Sequence, residues 1–531
     1  KFDAPPPRKE PWPQATDINV AQASRLPGQG GNESGSSRDG CATLANLPIL
    51  KCWPLDGGRF ITLPCVVTKD PDTGERNVGM YRIQIYDDKT TGMHWQLQKV
   101  GARHGRRYYE TGTRMPVSIF IGGDPMFPFA ATAPLPDGLD EFLLAGYLRK
   151  KSVELVKCET NDLEVPANAD FVIEGYIDPT EPLRDEGPFG DHLGYYSLAH
   201  EFPLLQVEKV HHREGAIWPF TVVGRPPQED TTFGQLIHEL TGDVIPTVLP
   251  GIKAVHAVDA AGVHPLLLAI GSERYMPFAG VPRPQELLTQ ACAILGQGQL
   301  SLAKFLLIVN RFDNEQLDIH DIPAFLRHLL ERVDWRRDLH FHTQTTIDTL
   351  DYSGDALNMG SKVVIAAAGP VIRELGTELP SMLSLPDGFK NPRLVLPGIV
   401  AIEGPRASAE RDTVPRSAFR VPRSDPPEIG QLCTTLPHQP SFPLFILVDD
   451  SDFVSRSLAN FLWATFTRAN PAADIHGVGS FVEQKHWGCT GPLVIDARTK
   501  PHHAPPLVAD PAVAKRIDAL ATRRGPLAKW L

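Results

Sequence analysis

The sequence predicts a mixed α+β fold: a β-rich domain built as a barrel or split barrel, followed by an α/β domain. Three observations predict it. Between residues 47 and 227 most ordered stretches are rich in strand residues and separated by turn signals, with strong alternation from Met80 onward in NVGMYRIQIYD. Beyond residue 234, short apolar runs alternate with amphipathic helical stretches. The length of 531 residues also exceeds what one hydrophobic core normally supports, so two or three domains are expected.

Residues 1–45 read as a flexible lead-in, because APPPRKEPWP and GQGGNESGSSRDG offer little to bury. The first domain is expected over 46–235, with order starting near LPILKCWP (47–54). FITLPCVV (60–67) reads as a strand and DPDTGE (70–75) as a turn. NVGMYRIQIYD (77–87) then reads as a strand, DKTTG (88–92) as a second turn and MHWQLQ (93–98) as the returning strand of a hairpin. Alternation puts Met80, Arg82 and Gln84 on one face, with Tyr81 and Ile83 on the other. Arg82 either meets a carboxylate or phosphate or lies solvated at an edge, since an unpaired buried arginine is costly.

PVSIFIGGDPMFPFAA (116–131) reads as a strand ending in Gly-Gly and a Pro/Phe loop, and DGLDEFLLAGYLR (137–149) as a helix with an acidic first turn. FVIEGYIDP (171–179), FPLLQVEKVHHR (202–213) and AIWPFTVVGRPP (216–227) continue the sheet. The second domain is expected over 236–531. GQLIHEL (234–240) opens a helix with Leu236, Ile237 and Leu240 inward. IKAVHAVDAAG is a strand, PRPQELLTQACAILG a helix, KFLLIVN (304–310) a buried strand and IPAFLRHLLERV a helix. The run from KFLLIVN is echoed by PLFILVDDSDFVSRSLANFLWATFTRAN (443–470), each followed later by a strand, MGSKVVIAA or TGPLVIDARTK. A recurring βα unit explains this echo as well as a duplication does. Residues 404–440 read as a linker, and a proline-rich tail leads to a final helix.

Net charge −11 argues against a nucleic-acid binder, and no apolar run is long enough to span a bilayer. Seven cysteines without a CxxC fit a reducing cytoplasm rather than a disulfide framework or zinc ribbon. The chain opens on Lys1 with no leader pattern, as expected of a fragment or processed form.

EGPFGDHLGYYS (186–197) gathers three glycines, two carboxylates, a histidine and three aromatics, a density that suits a site rather than a helix or strand. A surface turn with incidental charges is the alternative. Within it, Asp191 and His192 suit a metal site or a hydrogen-bonded loop, and the reading favours a loop that aims Glu186. The paired histidines of HHR (211–213) and KPHHAP (500–505) lack helix-spaced or carboxylate partners and read as solvated or structural.

Taken together, RNVGMYRIQ, TGMHWQ, EGPFGDHLGYYS, GRPPQED and LDYSGDALNMGSK resemble the UbiD family of decarboxylases, in the family's order and across residues 47–500. LPILKCWPLDGGRFITLP and IDARTKPHHAP resemble its long quinone-biosynthesis branch. The resemblance implies a split β-barrel flavin-binding domain, prenylated FMN, Mn²⁺ or Mg²⁺, and K⁺ near the phosphate. It implies reversible, non-oxidative loss of CO₂ from a small aromatic or α,β-unsaturated acid, a quinone-precursor benzoate or naphthoate by branch. It also implies a flavin prenyltransferase as cofactor supplier and a homodimer or higher homo-oligomer.

By the family pattern, Asn77 and Glu186 are metal ligands and Arg82 is catalytic. Met80, Tyr81, Arg82, His94, Trp95 and Gln96 contact the cofactor, and Lys362 contacts its phosphate. Where the fungal branch has a histidine as third metal ligand, this chain has Gln98 and Lys99, so that ligand stays open and Lys99 is a phosphate contact instead. Glu229 is the first acid of the proton-transfer set; Glu239 is the second, with Asp230 as runner-up. The family's N-terminal segment beside the barrel is not evident.

The chemistry is coherent with these residues. Carbanion-like charge needs a cofactor as electron sink. A phosphate in an acidic protein needs local cations, and Asn77 and Glu186 are oxygen donors suited to a hard ion. Glu229 and Glu239, if close, would raise one another's pKa, with Arg82 opposing. A plain ion pair between Arg82 and Glu229 is the structural alternative. An FMN-dependent oxidoreductase on a split barrel and an inactive assembly subunit are the competing functions.

Overall fold

The computed structural model describes residues 8–9 and 43–528, apart from 97–98, 134, 136–137, 276–281, 355, 381–382, 408–426 and 523. Most of the lead-in, Gln98 and the centre of the 404–440 linker therefore lie outside the described residues. Two compact units form. The first holds the chain up to Gly190 with Tyr196–Val223 and Pro506–Leu531; the second holds Asp191–Tyr195 and Gly224–Pro505.

The first unit is organised by an eight-stranded sheet: β1 (Arg59–Ile61), β2 (Cys65–Lys69), β3 (Arg76–Met80), β4 (Ile83–Ile85), β5 (Thr90–Gly92), β6 (Met115–Ile121), β7 (Phe171–Ile177) and β8 (Leu204–His212). Their order is β1-β4-β5-β8-β7-β6-β2-β3. The single strand expected over 77–87 is two strands. β3 pairs with β2 at one end of the sheet, while β4 pairs with β1 and β5 at the other. Only Tyr81 and Arg82 join them. A two-residue link between opposite ends requires the sheet to curl until those ends approach, giving a half-barrel. A bulge between Glu174 and Gly175 in the β7–β8 ladder assists the curl. Gly175 is needed there, because a Cβ would lie 2.0 Å from the Gln206 carbonyl oxygen.

Both faces of the sheet are buried. Val117, Ile119 and Ile121 of β6 enter a core with Ala102 and Tyr108, whereas Phe120 enters another with Phe127 and Phe142. The first pair lies on α1 (Val100–Thr111), Phe127 on α2 (Met126–Thr132) and Phe142 on α3 (Glu141–Arg149). Helix α2 replaces the expected Pro/Phe loop; Pro128 falls in its first turn, where a missing N–H costs nothing. The hairpin turn is shorter than expected, since Thr90–Gly92 already forms β5 and the MHWQ stretch runs outside the ladders. The 216–227 stretch is likewise not a strand: β8 ends at His212. Of the HHR histidines, His211 is buried 3.0 Å from Glu174, a carboxylate partner that the sequence reading did not give it.

The second unit holds two five-stranded sheets of one plan. In the first, β9 (Ala254–Ala257), β10 (Leu266–Gly271), β11 (Phe305–Asn310), β12 (Leu339–Thr346) and β13 (Met359–Ala367) run in the order β9-β10-β11-β13-β12. In the second, β14 (Lys390–Leu396), β15 (Ile399–Glu403), β16 (Leu444–Val448), β17 (Ile475–Gly477) and β18 (Leu493–Asp496) run β14-β15-β16-β18-β17. Each has three parallel central strands and an antiparallel strand at either edge. The sequence echo therefore marks two copies of one sheet topology. Helix α4 (Glu229–Thr241) opens the unit, but Leu240, expected inward, is 46% exposed. Pro427–Thr435, inside the expected linker, is a helix that buries Ile429 and Leu432.

Candidate active site

The break between β3 and β4 puts Arg82 at the seam of the curled sheet. Its guanidinium grips Glu186 bidentately, Nε donating to Oε1 at 2.8 Å and Nη2 to Oε2 at 2.9 Å. Nη2 also donates to Ser197 Oγ at 3.0 Å, and the guanidinium lies 4.6 Å from the Phe189 ring centroid. His94 Nδ1 is 3.1 Å from Glu186 Oε2, and the imidazole packs on Phe202. Glu186 is completely buried. Burial opposes its ionisation, but the Arg82 charge and the hydrogen bonds from His94 and Arg82 outweigh that and hold the carboxyl well below the usual range.

The loop carrying Glu186 is held from several sides. Gln84, two residues beyond Arg82, accepts from Gly187 N at 2.7 Å, so the predicted common face of Arg82 and Gln84 is the face that meets the loop. Gly187 has φ +102°, which only glycine adopts without strain. Asp56 accepts from Gly190 N at 2.8 Å and from the backbone N–H groups of Cys52 and Trp53. The LPILKCWPLDGG segment thus clamps the loop from its N-terminal side. Gly92 admits Glu186, since a Cβ there would lie 3.4 Å from Glu186 Cγ and 2.8 Å from the Tyr86 hydroxyl. An open cavity of about 560 Å³ adjoins the loop, lined in part by Gly57, Gln84, Tyr86, Asp185, Gly187 and Glu201.

Asn77 is buried on β3, its Nδ2 3.4 Å from the Tyr81 hydroxyl and 3.5 Å from Thr68 Oγ1. Tyr81 and Trp95 are core residues, Tyr81 OH accepting from Gly101 N at 3.2 Å and Trp95 packing on Gly105. Their rings are therefore committed to packing, and their backbone groups are what they offer a ligand. Met80, Gln96 and Lys99 are half-buried, with Lys99 at the N-cap of α1. Glu141, which sequence reasoning missed, accepts from Val78 N at 2.9 Å, and burial pushes its carboxyl up to about 7. The signal available for it was only its place in the acidic first turn of α3.

The remaining expected residues belong to the second unit. Lys362, on β13, is buried, its ammonium donates to the Ser301 carbonyl, and burial lowers its pKa to about 8. Glu229 opens α4; its side chain and that of Asp230 lie outside the described residues. The start of α4 is tied to the middle of the motif, because Gln228 Nε2 donates to the His192 carbonyl at 3.4 Å. Glu239 is exposed and accepts from Gln235 at 3.1 Å. Ten residues of α-helical rise separate the backbones of Glu229 and Glu239 by about 15 Å along one axis. His192 is hydrogen-bonded to Asp191, as expected of a loop residue, with Nδ1 to Oδ1 at 3.2 Å. It also meets two residues that sequence reasoning did not connect to it, His264 and Asp348.

Comparison with known proteins places these features in a family. Residues 32–226 match the 3-octaprenyl-4-hydroxybenzoate carboxy-lyase Rift-related domain, and residues 231–367 match the C-terminal domain of the same carboxy-lyase. A Chlamydia pneumoniae protein, named as one subunit of a 4-hydroxybenzoate decarboxylase, is 36% identical over 482 residues, 89% of this chain and 75% of that protein. The closed form of Sedimentibacter hydroxybenzoicus vanillic acid decarboxylase is similar at TM-score 0.58 and 25% identity, over 73% of this chain and 77% of that one. The UbiD-class enzyme HmfF from Pelotomaculum thermopropionicum, in complex with FMN, is similar at TM-score 0.54 and 25% identity, over 65% of this chain and 73% of that one. The chain belongs to the UbiD family of carboxy-lyases.

Proposed function

We propose that this chain is a prenylated-FMN-dependent decarboxylase that reversibly and non-oxidatively removes CO₂ from a small aromatic or α,β-unsaturated acid, a quinone-precursor hydroxybenzoate or naphthoate by family branch. The observation that carries the reading is the buried Arg82–Glu186–His94 cluster at the sheet seam. A charge pair this deep is poor at stabilising a fold, and it suits a protein that needs a fixed charge there. The first unit serves as a split-barrel flavin-binding domain in this reading. The cofactor comes from a flavin prenyltransferase, and the enzyme works in the cytoplasm as a homodimer or larger homo-oligomer.

The donor set fits a phosphate-bearing flavin with its cations. Glu186 is ionised and buried, and with Asn77 it offers oxygen donors to Mn²⁺ or Mg²⁺, with K⁺ nearby. Arg82, His94 and Lys99 supply the local positive charge that an acidic protein otherwise lacks, and Lys362 is the further phosphate contact proposed. Backbone groups of Met80–Arg82 and His94–Gln96 would line the ring system. When bound, the cofactor supplies the electron sink for charge left on carbon as CO₂ departs.

The chain's own residues divide the remaining work. Arg82, fixed in plane by its bidentate pairing, orients the substrate carboxylate by charge and geometry. Glu186 stays ionised throughout the working pH range, so it holds Arg82 and the cation and cannot be the acid. Proton transfer to carbon falls to Glu229; of the two candidates for the second acid, Asp230 is its neighbour in the chain, whereas Glu239 is exposed about three helical turns away.

Co-expression with and without a flavin prenyltransferase tests this directly. The visible spectrum should change with the prenyltransferase, and ¹³C-bicarbonate exchange into aromatic acids should appear only then. Ordinary FMN with hydride-transfer activity would replace the reading with an oxidoreductase, and no flavin in either preparation would favour an inactive assembly subunit. Glu229→Gln should keep the cofactor and lose turnover by orders of magnitude; unchanged turnover would remove Glu229 from the mechanism.

A further inference from the structure

We propose that His192, His264 and Asp348 form a binding site for a divalent first-row transition-metal ion within the second unit, separate from the Asn77/Glu186 cation site and independent of the decarboxylase reading. The three residues come from three distant segments. His192 lies in Asp191–Tyr195, His264 follows the 3₁₀ turn Asp259–Ala261, and Asp348 follows β12. Their ligand atoms all lie within 4.8 Å of one another. Metal–ligand bonds of about 2.0–2.2 Å put neighbouring ligand atoms roughly 3–3.5 Å apart, so an ion needs the widest of these separations to close by at most about 1.8 Å.

The surroundings are those of a ligand set. Asp348 is buried; its Oδ1 accepts from Leu350 N at 2.8 Å, which leaves Oδ2 to face both imidazoles. His264 Nδ1 hydrogen-bonds to that Oδ2, and His192 Nε2 stands 3.9 Å from it, too far for a hydrogen bond but spanned by a shared ion. Asp191 Oδ1, 3.2 Å from His192 Nδ1, holds the ring so that Nε2 turns toward Asp348. A carboxylate on the far nitrogen of a ligating histidine is the usual second layer of a metal site.

Two imidazoles and one carboxylate select Zn²⁺, Fe²⁺, Mn²⁺ or Co²⁺ over Mg²⁺ or Ca²⁺, which prefer all-oxygen sets. The ion would fasten a short segment of special position. Residues 191–195 belong to the second unit while the chain on both sides belongs to the first. The segment is already held by Trp463 Nε1 donating to the Leu193 carbonyl at 2.8 Å and by Tyr195 stacked on Trp463 at 5.2 Å. A metal at His192 adds a further anchor six residues after Glu186.

The test uses the whole 531-residue chain stripped of metal and titrated with Co²⁺ alone, read by visible ligand-field absorption and by displacement with Zn²⁺. Wild type and Glu186→Gln should both show a displaceable imidazole-ligated Co²⁺ spectrum. His264→Ala and Asp348→Asn should lose it or weaken binding at least 100-fold. Absence of the band in wild type, which needs no variant to fold, overturns the proposal. So does a band kept in both His264→Ala and Asp348→Asn, or one lost in Glu186→Gln and retained in His264→Ala.

Discussion

Two buried carboxylates, one in each unit, meet different partners. Glu186 is locked by a guanidinium in a two-point pair with one imidazole beside it. Asp348 faces two imidazoles and is otherwise held by a single backbone N–H on its other oxygen. Arginine is charged at every working pH, so the first arrangement carries its own counter-ion permanently. Imidazole exchanges a proton near neutrality and is a good metal ligand when neutral, so the second arrangement can take a metal in place of a proton. One carboxylate thereby serves as a fixed charge and the other as a loadable one.

The largest effect is expected from breaking the first pair. Arg82→Ala leaves Glu186 charged and buried without its main partner, which should cost about 3–5 kcal/mol of stability and reduce turnover by roughly 10³-fold or more. Arg82→Lys keeps the charge but not the fork and should recover stability better than turnover. Denaturant unfolding and CO₂ release measure the two separately.

Breaking the second pair should cost less. His264→Ala should lower stability by about 1–3 kcal/mol, the range for leaving a buried group short of a partner. Its turnover loss should be smaller than that of Arg82→Ala. Equal losses of activity in the two variants would erase the distinction between the fixed charge and the loadable one.

Acid sharpens the comparison further. Both carboxyls are held below their ordinary values of 4.5 and 3.8, so each contributes stability that is complete above those values. That stability is lost as pH falls below them, because the unfolded chain then binds protons that the folded chain does not. Thermal melts between pH 7 and pH 2 should fall steeply below about pH 4.5, and Arg82→Ala should flatten the acid limb. The smallest effect is expected from Gly92→Ala. The new methyl must displace the Tyr86 hydroxyl, which donates to the Asp185 carbonyl at 2.9 Å, and should cost about 1 kcal/mol with a modest fall in activity.

Much of the fold was legible because it is local. Strand-rich stretches bounded by turn signals marked β6, β7 and β8, an apolar run marked β13, and the acidic start at Asp140 and Glu141 marked α3, where Asp140 accepts from Phe142 N. The break at Tyr81–Arg82 was not legible: alternation is unchanged across it, and only long-range pairing reveals that β3 and β4 lie at opposite ends of a curled sheet. Of the site, Arg82, His94 and Glu186 were named from motifs, and the chain brings those three together. Ser197, in the same motif, was overlooked as a partner of Arg82. The His192, His264 and Asp348 group spans 156 positions and three loops, so no spacing rule could reveal it. The separation of Glu229 from Glu239, by contrast, was readable from helical rise alone.

The central claim is that the Arg82–Glu186 pair serves prenylated-FMN decarboxylation rather than the fold. The most direct test is ¹³C-bicarbonate exchange into aromatic acids by protein co-expressed with a flavin prenyltransferase, comparing wild type with Arg82→Lys at matched folded fraction and flavin content. Exchange is expected in wild type, with a loss of roughly 10²-fold or more in Arg82→Lys. Exchange in wild type with an undiminished rate in Arg82→Lys would contradict the claim.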